Sequence, residues 1–175
     1  MALKRATRPD AAPQEADPAG ESALDLSALT EIIGYPLRRA QMAVFEDFNR
    51  RFAALELTPA QYSALAAIGG NPGRKQSEIA GGLGIQRPNF VAMMDELERR
   101  GLAERLPSDA DRRSHALVLT QAGAALMARA RLVQAEQEAA IVRLLGQEGR
   151  QTLVALLRRL AKRSEEHTSE LQSPC

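Results

Sequence analysis

One cysteine, Cys175, and two histidines, His115 and His167, are all that this 175-residue chain offers to a disulfide or a thiolate–imidazole metal site. A disulfide framework is therefore excluded, and a Cys/His metal centre is disfavoured. Tryptophan is absent and aromatic residues make up only 3% of the chain, so strands are not expected to dominate. No apolar run reaches 18 residues and no signal-peptide pattern is present, which leads us to expect a soluble, cytoplasmic protein that does not enter a membrane. A net charge of +1 does not announce a nucleic-acid partner, so any DNA-binding claim must rest on where the charges sit. Catalytic patterns are missing too: no Ser, Cys or His has a base partner at motif spacing, and no phosphate-binding glycine loop occurs. An enzyme is disfavoured and no cofactor is expected.

What is abundant is Ala, Leu, Arg, Glu and Gln, within a chain that is 45% hydrophobic. That composition favours a mainly α protein with a real core, as one domain or one domain plus an appended element. Residues 1–23 carry Pro9, Pro13 and Pro18 among small and charged residues without periodicity, and read as a disordered N-terminal arm. Residues 24–57 have helical spacing (Leu29, Ile32, Ile33, Leu37, Ala40, Val44, Phe48, Phe52, Leu55), interrupted at Gly34-Tyr35-Pro36, which predicts a short helix, a break and a long helix. "TPAQ", Thr58–Gln61, is a capping box with proline at the first helical position, opening a helix to about Ile68 that "GGNPGR" stops. Thr120 is placed to cap a long helix to about Leu145, and a last helix over 148–162 puts Leu153, Leu156, Leu157 and Leu160 on one face. "RSEEHTSELQS", Arg163–Ser173, resembles the translation of a sequencing-adapter read-through and breaks that periodicity, so residues 163–175 are set aside as a non-native tail.

Between these flanks lies a pair of short helices, predicted over 77–83 and 87–100 and joined through Gly84. Counted from Gln76, the pattern fits a helix-turn-helix: apolar Ile79, Leu83, Ile85, Phe90 and Met93 hold the crossing, small Ala80 leaves room for it, and Gly84 tolerates the left-handed turn. An ordinary helical hairpin would satisfy part of the same pattern. The second helix turns Phe90, Met93, Met94 and Leu97 inward, leaving Gln86, Arg87, Pro88, Asn89 and Ala92 on an acid-free outward half. Asp95, Glu96 and Glu98 follow only later. Asn suits adenine N6/N7, Arg suits guanine O6/N7, and a solvated surface suits each of them equally. "LERRGL" closes the helix with Gly101 in a Schellman arrangement that brings Leu102 to Leu97.

Residues 102–106 and 115–119 alternate as two strands around the tip "PSDADRRS", which makes the whole a winged helix. Arg112 and Arg113 at the tip suit the narrow, negative minor groove, with Asp111 bracing Arg113; a solvated tip would carry the same charges. His115 reads as surface or wing packing.

"LTPAQYSALAAI", "QSEIAGGLGI" and "MMDELERRGLAERLPSDADRRSHALVLTQAG" together resemble the MarR family of winged-helix transcriptional regulators over about residues 29–162. The resemblance implies a dimer of interlocked terminal helices (24–57 and 121–162) flanking a DNA-binding domain (58–120) that binds a pseudo-palindromic operator. It also implies Arg113 as the minor-groove arginine, Asp111 as its partner, Arg87–Ala92 as the recognition stretch, and a small organic effector bound between dimerisation and DNA-binding regions. The broad apolar faces of the terminal helices point to a homodimer independently. No cysteine occurs in the first helix, so thiol sensing is disfavoured. Tyr35, Arg38, Arg39, Phe45 and Phe48 are candidate effector residues, suited to an aromatic acid or its thioester, although core packing explains Phe45 and Phe48 as well. A repressor is expected, because no extra domain for contacting polymerase is evident. The competing reading is a winged-helix protein-interaction module without specific DNA binding, which would not require the acid-free helix start or the wing arginines.

Overall fold

A computed structural model describes the backbone of residues 24–108 and 111–171, and the side chains of residues 24–107 and 115–162. Two compact units are present, Met1–Arg39 and Ala40–Cys175. The described part of the first begins with α1 (Ser27–Thr30), where the Asp25 carboxylate accepts a hydrogen bond from the Ser27 N–H at 2.9 Å. After a break at 31–33, α2 (Gly34–Phe52) begins and continues into the second unit. The break precedes Gly34-Tyr35-Pro36 instead of falling on it. Pro36 sits in the first turn of α2, where its missing N–H leaves no helical hydrogen bond unmade.

In the second unit, Phe48 and Phe52 lie one turn apart on α2 and stack at 3.8 Å between ring centroids; Tyr62 meets them edge-on at 5.8 and 5.4 Å. Burial raises the pKa of the Tyr62 hydroxyl. A 3-10 turn, Ala53–Leu55, follows α2 and is held by Arg100, which donates to the Glu56 carbonyl at 2.7 Å and the Leu55 carbonyl at 3.4 Å. Helix α3 (Pro59–Gly70) starts at the expected capping box: the Thr58 hydroxyl accepts from the Gln61 N–H at 3.2 Å, and the Gln61 side chain accepts from the Thr58 N–H at 3.1 Å. Ala64, Leu65 and Ile68 of this helix are fully buried, in one cluster with Phe52, Phe90, Met94, Leu97, Leu117 and Met127. Each such large side chain contributes roughly 1.5–3 kcal/mol of burial.

Helix α6 (Gln121–Leu171) is two helices in one. Gly146, at φ 72° and ψ 164°, is not helical, and it lies where the sequence predicts one helix to end and another to begin. Arg150 donates to the Glu138 carboxylate at 2.8 Å across 12 positions of chain. A straight helix would part those residues by about 18 Å, so the chain turns back at Gly146. Gln137, almost fully buried, donates to the Val44 carbonyl at 3.0 Å and ties α6 to the interior of α2. The backbone stays helical through 163–171, within the tail set aside above. Among the described residues no helix is long and apolar enough to cross a membrane.

Candidate nucleic-acid interface

The two short helices form as the spacing predicts, α4 over Gln76–Gly82 and α5 over Arg87–Arg99. Glu78 accepts from the Lys75 N–H at 2.8 Å, satisfying one of the donors at the start of α4. Ile79 and Ala80 are buried; Leu83 and Ile85 are half-buried. Gly84 adopts φ 64°, and the Ile85 N–H returns to the Ala80 carbonyl at 3.0 Å, closing the turn that sets one helix across the other. On α5, Phe90, Met94 and Leu97 are fully buried and Met93 is half-buried. That inward stripe leaves Gln86, Arg87, Pro88, Asn89 and Ala92 all exposed. The first turn of α5 contains no acid, and among the described residues no side-chain hydrogen bond or ion pair engages Gln86, Arg87 or Asn89. The acids come later and each is occupied. Arg99 holds Glu96 at 2.6–2.8 Å and keeps its carboxyl below the usual carboxylate range. Asp95 and Glu98 are both held by Arg105.

The end of α5 is the Schellman arrangement: the Leu102 N–H reaches the Leu97 carbonyl at 2.9 Å, the Gly101 N–H reaches the Glu98 carbonyl at 2.8 Å, and Gly101 has φ 67°. Two antiparallel strands follow, β1 (Ala103–Ser108) and β2 (Asp111–Leu119), paired from Ala103↔Leu119 to Pro107↔His115 and then Ser108↔Asp111 across a bulge. The strands are therefore longer, and the tip shorter, than the alternation of side chains predicts. Asp111, Arg112 and Arg113 belong to β2. Backbone pairing resumes beyond the bulge, which absorbs residues 112–114 where the apolar rhythm has ended. The orientation of Arg112 and Arg113 and the Asp111 brace lie outside the described residues. His115 is exposed.

Two supports of the wing join it to distant parts of the chain. Lys75 pairs with Ala116, flanked by Gly73 N–H to Leu117 carbonyl and Leu117 N–H to Arg74 carbonyl, both at 2.9 Å, so the chain just before α4 adds a short third strand to β2. At the base, the Thr120 hydroxyl donates to the Gly101 carbonyl at 2.6 Å and accepts from the Gly123 N–H at 3.0 Å. The Thr120 N–H meets the Leu102 carbonyl at 3.2 Å. "ELERRGL" and "LTQAG" thus close on each other. The Lys75 bridge, the Thr120–Gly101 bond and the reach of Arg105 are features that sequence reasoning misses, although Thr120 reads as a cap; the partners of Arg105 are 7 to 29 positions away and no short motif joins them.

The candidate effector residues divide between the units. In the first, Tyr35 is half-buried and Arg38 and Arg39 are exposed. In the second, Phe45 is 44% exposed beside Gln41, Met42, Glu46 and Asn49, which line a shallow depression, whereas Phe48 is committed to the core.

The model of the MarR family matches residues 55–114. A putative transcriptional regulatory protein for the hcr operon of Thauera aromatica is 35% identical over 135 residues, 77% of this chain and 81% of that protein. Among solved structures, the transcriptional repressor CouR bound to a 23-mer DNA duplex is 50% identical with a TM-score of 0.77, covering 80% of this chain and 99% of that one. CouR bound to p-coumaroyl-CoA is 47% identical with a TM-score of 0.74, covering 79% and 97%.

Proposed function

Since the chain belongs to the MarR family, we propose that it is a cytoplasmic, homodimeric, sequence-specific DNA-binding repressor that a small organic effector releases from a pseudo-palindromic operator. The observation that carries this reading is the outward half of α5, wholly exposed and free of acids, on a helix whose inner half is locked in the core. Arg87 and Asn89, with Gln86, Pro88 and Ala92 beside them, face the major groove; Arg112 and Arg113 of β2 enter the adjacent minor groove with Asp111 as brace. A two-fold mate sets the second copy of α5 about 34 Å away, one turn of DNA. Exposed Leu153, Leu156, Leu157 and Leu160 on the last helix supply apolar surface for that mate. The effector is an aromatic acid or its thioester. CouR, bound to p-coumaroyl-CoA at 47% identity, supports the class. Of the candidate effector residues in the second unit, exposed Phe45 offers it an aromatic face.

Fluorescence anisotropy on DNA flanking the gene, over a salt series, tests the reading. Wild type is expected to bind that DNA in preference to random duplex, and Arg113→Ala to lose about 1–3 kcal/mol. Micromolar p-coumaroyl-CoA is expected to raise the melting temperature and release the DNA, with free p-coumarate and CoA as separate arms. Equal affinity for operator and random duplex would sink the regulator reading.

A further inference from the structure

Arg105 leaves β1 and reaches into α5. Its side chain is 18% exposed. Nε donates to the Gln76 side chain at 2.8 Å, Nη1 to Asp95 at 2.8 Å and also to Glu98, and Nη2 to the Val91 carbonyl at 3.3 Å. The Glu98 carboxylate accepts in addition from the Arg105 backbone N–H at 2.8 Å. From the root of the wing, one guanidinium thus engages the start of α4 and two turns of α5, using the planar fork that arginine alone presents.

We propose that Arg105 is the positioning residue that locks the wing to the outward helix, so that Arg113 and the exposed half of α5 meet DNA as one rigid reader. A two-stranded ribbon is marginal on its own and needs such an anchor to hold a fixed angle. The same contacts take up Asp95 and Glu98, two carboxylates that would otherwise repel phosphate from the far half of α5. The consequence for DNA rests on the regulator reading above; the lock itself does not.

Two measurements on the full chain separate those parts. Amide hydrogen exchange of the free protein is expected to show residues 104–106 and 116–118 exchanging about tenfold faster in Arg105→Met, with residues 64–68 of α3 unchanged. Arg105→Lys, which keeps the charge but not the fork, is expected to resemble Arg105→Met; protection at the wild-type level in Arg105→Lys, or unchanged wing exchange in Arg105→Met, overturns the lock. Operator binding then tests what the lock is for, in a double-mutant cycle with Arg113→Ala. Arg105→Met is expected to weaken binding about tenfold in the wild-type background and no more than about twofold once Arg113 is already alanine. Equal losses in both backgrounds overturn the positioning role. If wild type does not distinguish operator from random DNA, the regulator reading fails, and the exchange data still decide the lock.

Discussion

At Gly123 the difference between a hydrogen and a methyl group is the difference between fitting and not. A Cβ there would lie 1.8 Å from the Leu102 carbonyl oxygen, which is backbone and is already engaged by the Thr120 N–H. Gly123→Ala is expected to cost at least about 2 kcal/mol by overpacking, seen as a fall of about 4–8 °C in the melting temperature. A shift within about 1 °C would show that α6 can move off Leu102 freely. Position 123 is a good measure of what can be read in advance. Thr120 is legible as a helix cap because its partner lies three residues on, and so are Thr58 with Gln61 and Leu102 with Leu97 around Gly101, since caps are local chemistry. The closeness of Gly123 to Leu102 and the reach of Arg105 to Gln76 are not, because they exist only once distant elements have packed.

Helices were legible where apolar spacing and a cap agree, as in α3, α4 and α5, whose observed ends lie within two residues of those expected. Strand lengths were not. Alternation stops at Leu106 and resumes at His115, while the ladder continues through Ser108 and Asp111 on backbone hydrogen bonds that do not depend on side-chain type. The third strand at Lys75 is too short to carry any period. Gly146 is the corresponding joint of the C-terminal pair. Its φ and ψ fall in a region that is essentially glycine's own, and the Glu138–Arg150 pair depends on the reversal it makes. Gly146→Ala is expected to destabilise by roughly 1–3 kcal/mol in urea melts. It should cost more than Arg150→Ala, which removes only a half-exposed ion pair. The reverse order would place the reversal in the pair and not in the glycine.

For the molecule entire, the feature to explain is apolar surface: Leu153, Leu156, Leu157 and Leu160 are each 38–49% exposed. If a second copy covers them, apparent stability must rise with concentration. Sedimentation should give a dimer for wild type and a monomer for Leu156→Asp/Leu160→Asp, and the double variant should lose operator affinity with its partner half-site. A melting temperature constant over a hundredfold dilution, with monomers throughout, would refute the dimer. Near-neutral total charge does not oppose DNA binding here, since the acids of α5 beyond its exposed half are each taken by an arginine of the same chain. Closure of the wing at its base has a different bearing. Thr120 joins the two ends of the wing to Gly101 and Leu102, and Arg105 and the Lys75–Ala116 bridge tie its root to the helices, which closes the loop beyond at that root. Lengthening such a closed loop costs only about 0.6 kcal/mol per doubling. On the proposed reading the tip is therefore a cassette: exchanging its letters and its length is expected to change the DNA preferred while the body that presents it stays as it is.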